Sequence, residues 1–378
     1  MNAETTYDIA IVGGGLAGLS AAIQLSKKQY RVILFEKEQY PFHRVCGEYI
    51  SMESFGFLEK LGLPLSEMNL PMIRKLIVTA PSGFALKQEL PLGGFGISRF
   101  TLDEKLKDIA LQSGVTVMEY CKVEDVTFGD ELFQISTTNG LFKSKVCCGS
   151  FGKRSNIDVR WKRNFVTQPP NKLNNYIGIK YHIETDFPLD TIALHNFSNG
   201  YCGISAIENN KYCLCYLTTA ANLKASDNSI DQLEKNILSQ NPELQKIFST
   251  AKKTVGPTTI SQISFQQKSI VENHILMMGD AAGMITPLCG NGMSMALHGS
   301  KIAAENIILF LNQKISRTAM EKKYAAEWKQ LFGKRLKTGR FIQSLFGKPS
   351  ITNLFVKTAS KFPSLTRWLI KQTHGQPF

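Results

Sequence analysis

Two glycine-rich segments, separated by nearly the whole chain, restrict what this sequence can fold into. The first is Gly13-Gly14-Gly15-Leu16-Ala17-Gly18; the second is Gly279-Asp280-Ala281-Ala282-Gly283, continuing through Pro287, Gly290, Asn291 and Gly292. The first follows an apolar run, Tyr7 to Val12, and precedes a helix-forming stretch from Leu19 to Lys28, so it reads as strand, turn and helix at the spacing G-x-G-x-x-G. Gly13 permits the tight turn, Gly15 lets backbone approach a pyrophosphate, and Gly18 lets the helix pack closely on the strand with its N-terminal amides facing the phosphates. A second strand, Arg31 to Phe35, ends at Glu36, where a carboxylate can take both ribose hydroxyls of an adenosine. A glycine triplet alone is a weak signal. Strand, spacing, helix and terminal acid together specify a dinucleotide, without separating NAD from FAD.

The second segment makes that separation. Ser269 to Met278 reads mostly as a strand with Ile275-Leu276-Met277-Met278 as its core, and Asp280 follows it, where a carboxylate can hold a polyol hydroxyl. A loop with proline and glycines leads into a helix from Met293 to Leu311 with apolar residues at helical spacing. The amides at that helix start make a second positive end, suited to the electron-rich N1 and O2 side of a reduced flavin ring. The expected cofactor is FAD.

The chain resembles the p-hydroxybenzoate hydroxylase superfamily of flavoproteins, and within it is most similar to the geranylgeranyl reductase-like branch. The residues that carry the resemblance are the first glycine run, Arg44-Val45-Cys46-Gly47-Glu48, Arg99 with Leu102, Asp103 and Leu106, and the run from Gly279 to Gly292. The resemblance implies cofactor contacts from Gly13, Gly15, Gly18, Glu36, Lys37, Arg44, Arg99, Val123, Gly279, Asp280, Pro287, Gly290, Asn291, Gly292 and Met293. It puts Arg44 at the pyrophosphate, Arg99 near the ribityl and phosphate groups, the Val123 backbone at adenine, Asp280 on the ribityl chain and Glu36 on the adenosine ribose. It also places the loop of Cys46 and Glu48 beside the flavin ring, which makes them the candidate catalytic residues: Cys46 as a catalytic or substrate-contacting thiol or a packed one, Glu48 as a proton relay or an ion-pair partner. In one place the sequence departs from the pattern. Phe151 stands where the superfamily often carries the aspartate of a D-G pair, which puts direct NADPH reduction in doubt; the external donor is left as NAD(P)H or a reduced ferredoxin or flavodoxin. Lys153 and Arg154 beside it read either as a site for a phosphate-rich donor or as a solvated basic turn.

The implied fold class is α/β: a Rossmann-type FAD-binding domain (GR2-like) with an inserted antiparallel β-sheet substrate domain and a C-terminal helical tail. The FAD-binding pieces are expected at 1–70, 98–157 and 256–315, the substrate domain at 71–97 and 158–255, and a basic helical region at 316–378. Strand patterning runs through Tyr176 to Ile183, Thr191 to Phe197, Tyr201 to Ile207 and Tyr212 to Thr218, with Asn209-Asn210 as a hairpin turn. Asp227 to Gln240 reads as a helix capped by Ser226 or Asp227. The roof over the flavin is expected to carry Tyr176, Tyr181, Phe197, Tyr201, Tyr212, Tyr216 and Phe265, which favours a hydrophobic substrate; His182 and His195 are candidates for proton transfer or satisfied strand residues.

The chain has 378 residues and eight cysteines, none in a C-x-x-C pair, so no metal site is expected and reduced thiols suit a cytoplasmic protein. No stretch approaches the ~20 apolar residues of a membrane span, and the start lacks the pattern of a secretory signal. From Leu331 to Phe378 there are Lys334, Arg335, Lys337, Arg340, Lys348, Lys357, Lys361, Arg367 and Lys371 and no Asp or Glu, with aromatic and aliphatic residues interleaved. That pattern fits contact with an anionic membrane surface at the inner face, an acidic carrier protein, or a helical cap with a solvated basic face; no nucleic-acid motif accompanies it.

For the reaction, the resemblance, the apolar roof and the basic tail point to an FAD-dependent reductase of C=C bonds in a hydrophobic lipid or polyprenyl-like substrate. The alternative is a flavin-dependent monooxygenase hydroxylating an aromatic or polyketide-type substrate. A halogenase is disfavoured because the W-x-W-x-I-P signature is absent and no lysine is placed by motif near the flavin. A non-catalytic FAD-binding or carrier-interacting protein has only the missing aspartate in its favour.

Overall fold

Parallel pairing at the N-terminus sets the architecture. The computed structural model describes residues 6–169, 175–286 and 290–378, so Pro287 lies outside the described residues. β1 (Thr6–Val12) pairs in parallel with β2 (Val32–Phe35) and β9 (Gly140–Gly149), β2 with β6 (Thr116–Met118), and β9 with β16 (Ile275–Met277). An antiparallel meander of β7 (Val123–Gly129) and β8 (Leu132–Thr137) joins through β9, and β15 (Val271–Glu272) closes the other edge. Ile9, Ala10 and Ile11 are wholly inaccessible, as expected of parallel strands covered on both faces. α1 (Leu16–Ser26), α3 (Arg99–Gln112) and α9 (Gly292–Leu311) pack together over this sheet, with Ser20 and Ser300 hydrogen-bonded between α1 and α9.

The second sheet runs in the order β14-β10-β13-β12-β11-β4-β5-β3. Its strands are β3 (Tyr49–Ser51), β4 (Met72–Thr79), β5 (Ala85–Gly96), β10 (Tyr176–Glu184), β11 (Thr191–Phe197), β12 (Gly200–Ile207), β13 (Lys211–Thr219) and β14 (Lys252–Ile263). All neighbours are antiparallel except β11 and β4, which reach the sheet from different parts of the chain. β3 belongs to this sheet although it lies within residues 1–70, and β14 crosses position 256. The hairpin of β12 and β13 turns at Asn209 and Asn210, both left-handed.

Helix and strand limits differ from the sequence reading wherever a left-handed residue intervenes. Ser269 to Met278 is a short hairpin, because Asn273 and His274 both take positive φ. Asp227 and Asn228 are left-handed too, so α7 (Ile230–Asn236) starts after them and is capped by Ser229, whose Oγ accepts from Gln232 N; α6 (Ala220–Ala225) precedes it and α8 (Pro242–Thr250) follows. α1 begins at Leu16, inside the glycine run, and ends at Ser26.

The strand aromatics divide by parity. Tyr181, Phe197, Tyr212 and Tyr216 share a core with Leu233, Leu238, Leu244 and Ile247 of the overlying helical segment, on the face away from the cofactor side. Tyr181, Phe197 and Tyr212 are structural and do not form the expected roof, whereas Tyr216, like Tyr201, also borders the cavity below the sheet. The opposite parity carries Gly178, Lys180 and His182 of β10, Cys213, Cys215 and Leu217 of β13, and Tyr201 and Ser205 of β12.

The C-terminal region is α10 (Arg317–Leu345), α11 (Pro349–Lys361) and α12 (Pro363–Thr373). α10 lies along α9 and contributes Met320, Tyr324, Trp328 and Phe332 to the main core, while α11 and α12 cover β5. The last residue, Phe378, stacks on His298 with ring centroids 4.0 Å apart. Among the described residues no helix is long and apolar enough to cross a membrane.

A Cβ at Gly18 would overlap the carbonyl oxygen of Gly13, whereas one at Gly56 in α2 (Phe55–Leu61) meets nothing within 4 Å. Gly18→Ala should therefore cost about 2–3 kcal/mol of stability by overpacking, while Gly56→Ala should be neutral or gain up to ~1 kcal/mol from helix propensity. Urea midpoints of the two variants check this.

Candidate functional site: a cavity at the seam of the two sheets

The two glycine segments meet at one cavity of about 990 Å³, at the upper end of the small-molecule range. Gly13 and Gly15 line it from the first segment; Gly279, Asp280, Gly290, Asn291, Gly292 and Met293 line it from the second, Glu36, Lys37, Arg44, Arg99 and Val123 join the first segment, and Cys46 lines it as well. The glycines of the first run divide the work. Gly13 holds φ +105°; the space beside Gly14 is filled by the Tyr40 hydroxyl, which donates to the Gly14 carbonyl; Gly18 packs on Gly13. Gly15 alone of the four opens outward, the nearest atom to an added Cβ being Arg99 Nη2 at 3.7 Å. The N-cap positions of α1 and α9, Gly15 and Asn291, make no side-chain cap bond, so the first-turn amides of both helices are left for a ligand.

A chain of charges runs beneath the nucleotide end. Arg44 Nη2 lies 2.8 Å from Glu36 Oε2 and its Nε 3.1 Å from Asp103 Oδ2; Arg99 clamps Asp103 from the other side with bonds of 2.7 Å from Nε and Nη2. Burial pulls the Arg99 guanidinium down, but the paired Asp103 carboxylate outweighs it and raises the group above its ordinary value. Glu36 is saturated: Oε2 also accepts from Gly14 N at 3.0 Å, and Oε1 accepts from Lys37 N at 2.9 Å and Glu38 N at 3.2 Å. A ligand hydroxyl reaching Glu36 would therefore compete with one of these four donors, Arg44 among them.

Glu48 does not line the cavity. It is wholly buried, held by Lys180 Nζ at 2.6 Å, His182 Nε2 at 2.6 Å and the Arg99 amide at 2.9 Å. Burial alone would raise its pKa, but His182 and Lys180 outweigh that and hold it at about 2. Glu48 is thus the ion-pair partner of the two alternatives. Its bonds fix the loop above, with Cys213 Sγ donating to Cys46 O at 3.2 Å and Ser205 Oγ to Gly47 O at 3.1 Å. Cys46 itself is half-buried and faces the cavity. His182 is committed to Glu48. His195 is buried against Thr79 Oγ1 at 3.0 Å and pushed down to about 4 by burial, so neither histidine faces the cavity.

The second glycine segment is braced from behind by two cations that the motifs do not signal. Lys268 Nζ donates to Asp280 O at 2.8 Å and Lys153 O at 2.7 Å, and burial depresses it to about 8. Arg163 Nη2 donates to Ala281 O at 3.1 Å and Ser269 O at 2.9 Å while its Nη1 pairs with Asp158 at 2.8 Å. Lys153 lines the cavity next to Phe151, its Nζ donating to Val45 O at 3.0 Å, so a lysine does reach the cavity although no motif placed one there. Lys180 was detectable in principle: it shares strand parity with Gly178 in an otherwise apolar run. Among the described residues no cluster of His, Cys, Asp or Glu is placed to hold a metal.

Open glycine backbone, two uncapped helix starts, paired arginines and a lone carboxylate, Asp280, at the far end fit a pyrophosphate joined to a polyol. FAD has that form. Comparison with known proteins agrees. The family model for an NAD(P)-binding Rossmann-like domain matches residues 11–46, and that for squalene epoxidase matches residues 202–337. In sequence the chain is 24% identical to conditioned medium factor receptor 1 of Dictyostelium discoideum, over 87% of this chain and 69% of that protein. It is 21% identical to a digeranylgeranylglycerophospholipid reductase of Methanococcus vannielii, over 86% and 83%. Among solved structures, a geranylgeranyl bacteriochlorophyll reductase-like protein of Thermoplasma acidophilum superposes with TM-score 0.80 at 17% identity, covering 100% of this chain and 97% of that one. The p-nitrophenol 4-monooxygenase PnpA of Pseudomonas putida gives 0.76 at 16% identity over 100% of both, and the flavin-dependent halogenase CmlS 0.77 at 18% identity, over 88% of this chain and 64% of its own. In fold the chain is similar to flavin-dependent reductases, monooxygenases and halogenases, and the relatives it matches in sequence include flavin-type reductases, so an FAD-dependent oxidoreductase is the class these similarities support. The resemblance to the geranylgeranyl reductase-like branch, expected from the motifs, is found again among these relatives.

Gly15→Val should leave the fold intact, because its side chain enters open space, yet lower FAD affinity about 100-fold or more, equivalent to ~3 kcal/mol; Asp280→Ala should lower it about tenfold. Flavin titration of apoprotein reads both, and unchanged affinity would contradict the placement. Glu48→Gln leaves Lys180 buried without its counter-charge and should cost about 3–5 kcal/mol. Because the Glu48 pKa is depressed on folding, its contribution is complete above the unfolded value near 4.5 and is lost as pH falls toward about 2. Wild type should lose stability across that window with a slope the Glu48→Gln variant lacks.

Proposed function

We propose that the chain reduces carbon–carbon double bonds of a hydrophobic, polyprenyl-like lipid. The observation that carries this reading is how polarity is distributed around the cavity. Its described carboxylates, Glu36, Glu38 and Asp280, stand with the two glycine segments, whereas the second sheet presents Tyr201, Leu217, Ile260 and Ile263, joined by Met284. Thr258, Thr259 and Ser261 of β14 add hydroxyls to that wall but no charge, so a neutral, largely apolar ligand suits it. The names of relatives, among them archaeal digeranylgeranylglycerophospholipid reductases and a mycobacterial menaquinone reductase, support the same substrate class.

Bound and reduced, FAD supplies the hydride in such a reaction. The protein contributes position and a proton. Gly178 lets the Val45 side chain pack close against the sheet, and Ile260, Ile263 and Leu217 beside it give an extended apolar chain a surface to lie on. Cys46, on the loop pinned by Glu48, Ser205 and Cys213, is the proton donor we assign to the second carbon among the proton-bearing groups at the cavity, which also include His43, Lys153 and Tyr201; Glu48 holds the loop and takes no part in the transfer.

A monooxygenase acting on an aromatic or polyketide-type substrate is the second reading, favoured by the squalene epoxidase match across residues 202–337 and by the full-length likeness to a p-nitrophenol monooxygenase. The electron donor, NAD(P)H or a reduced ferredoxin or flavodoxin, goes with neither reading in particular; Phe151 in place of the aspartate argues for the protein donors.

The decisive experiment is anoxic. The purified flavoprotein, reduced with dithionite, should be reoxidised by a polyprenyl lipid extract without oxygen and yield a saturated product. Incorporation of labelled dioxygen into product would instead establish the monooxygenase. Cys46→Ala should retain FAD and slow turnover about 10²-fold, within the usual range for a general acid; an unchanged rate would remove Cys46 from the reaction.

A further inference from the structure

We propose that the outer face of α11 and α12 is a docking surface for an anionic lipid bilayer. The inner faces are used up. α11 buries Thr352, Val356 and Ala359, and α12 buries Thr366 and Thr373. The residues left outside are not those of a solvated cap: Ile351 is 41% exposed, Leu354 68%, Phe362 57% and Trp368 56%. Between them stand Lys357, Lys361, Arg367 and Lys371, all exposed. Phe84, 40% exposed at the turn between β4 and β5, joins the patch, because Ser82 Oγ beside it bonds Asn353 Oδ1 at 2.7 Å.

Charge selects the occupant. Nine Lys and Arg and no acid lie between Leu331 and Phe378, in a chain of net charge +13. Protein interfaces deplete lysine at their centres, whereas an interfacial helix combines lysines with Trp, Phe and Leu on the same surface. α11 and α12 have 13 and 11 residues, too short to span the ~30 Å hydrocarbon core, so they lie in its plane.

The patch is continuous with the cavity. Val356 and Ala359, on the inner side of α11, belong to the apolar cluster that contains Tyr201, Leu217, Ile263 and Met284 of the cavity wall. Docking therefore puts the cavity one helix away from acyl chains. This inference stands on exposure and charge and is independent of the reaction assigned above.

The test uses the full-length flavoprotein. It should sediment with phosphatidylcholine vesicles containing about 30% phosphatidylglycerol, not with pure phosphatidylcholine, and be released as salt rises to about 0.5 M. Trp368 emission should shift to the blue on binding, and the shift should vanish in Trp368→Phe. Leu354→Glu, and Lys357→Glu combined with Lys361→Glu, should each weaken vesicle binding about tenfold or more with flavin content unchanged. Failure of wild type to bind these vesicles, or binding that both variants leave intact, overturns the proposal. A complex with an acidic acyl carrier protein in the absence of vesicle binding also overturns it, in favour of a protein partner.

Discussion

A carboxylate without access to water ties the loop before β3 to β10 of the second sheet and to the start of α3, beside the cavity. Glu48 reaches Lys180 and His182, which lie more than 130 residues further along the chain, and the first amide of α3. Burying one ion pair is costly, and removing one partner from it costs more than the pair gains. Here three donors converge on one carboxylate, so the arrangement has one satisfied geometry. That geometry includes a left-handed backbone at Glu48, φ +54°, which a non-glycine residue adopts only when its surroundings impose it. The turn it forces aims Cys46 toward the cavity while Glu48 points away from it.

The cavity is consequently amphipathic along its length. At one end Glu36, Arg44, Asp103 and Arg99 alternate in sign, so an incoming anion exchanges one partner for another and meets no uncompensated charge. At the other end the described residues of the sheet present aliphatic, aromatic and hydroxyl side chains with no carboxylate among them. A cofactor with a charged middle and a flat ring, followed by an apolar substrate, matches that order.

What the sequence disclosed followed from how local each constraint is. Glycine spacing, the acid ending a strand and the asparagines of a hairpin act over a few residues, and their geometry was legible without neighbours. Strand alternation was legible as well, but parity does not say which face meets the cofactor. Tyr181 and Tyr212 were read as roof residues, and the helical segment from α7 to α8 claims them instead. The hint lay on the opposite parity, where Gly178, Lys180 and His182 interrupt an apolar strand: a glycine where something approaches, and two cationic side chains that need a partner. That the partner is Glu48 depends on a pairing across the fold, invisible to any window. Element limits failed at Asn273, His274, Asp227 and Asn228, residue types that tolerate left-handed backbone without requiring it.

The C-terminal helices belong to the site as well as to the surface, and Asn291 shows why. It occupies the N-cap of α9, a position where asparagine ordinarily spends its side-chain oxygen on the first-turn amides. Instead its Nδ2 donates to Thr373 O at 2.9 Å, at the end of α12, and its side chain makes no cap. Nearby, Arg335 of α10 stands 3.5 Å from the buried Glu53 carboxylate, so two separate links tie the tail to the wall of the cavity. By contrast α3, α7 and α10 are capped by Ser98, Ser229 and Ser316. Diverting Asn291 to the tail keeps the α9 amides free for an anionic ligand, as the glycine at the same position of α1 does. The tail thus sets the loop from Gly290 to Gly292 in the conformation that leaves its helix dipole open to the cofactor, and whatever the outer face of α12 touches is one hydrogen bond removed from that loop.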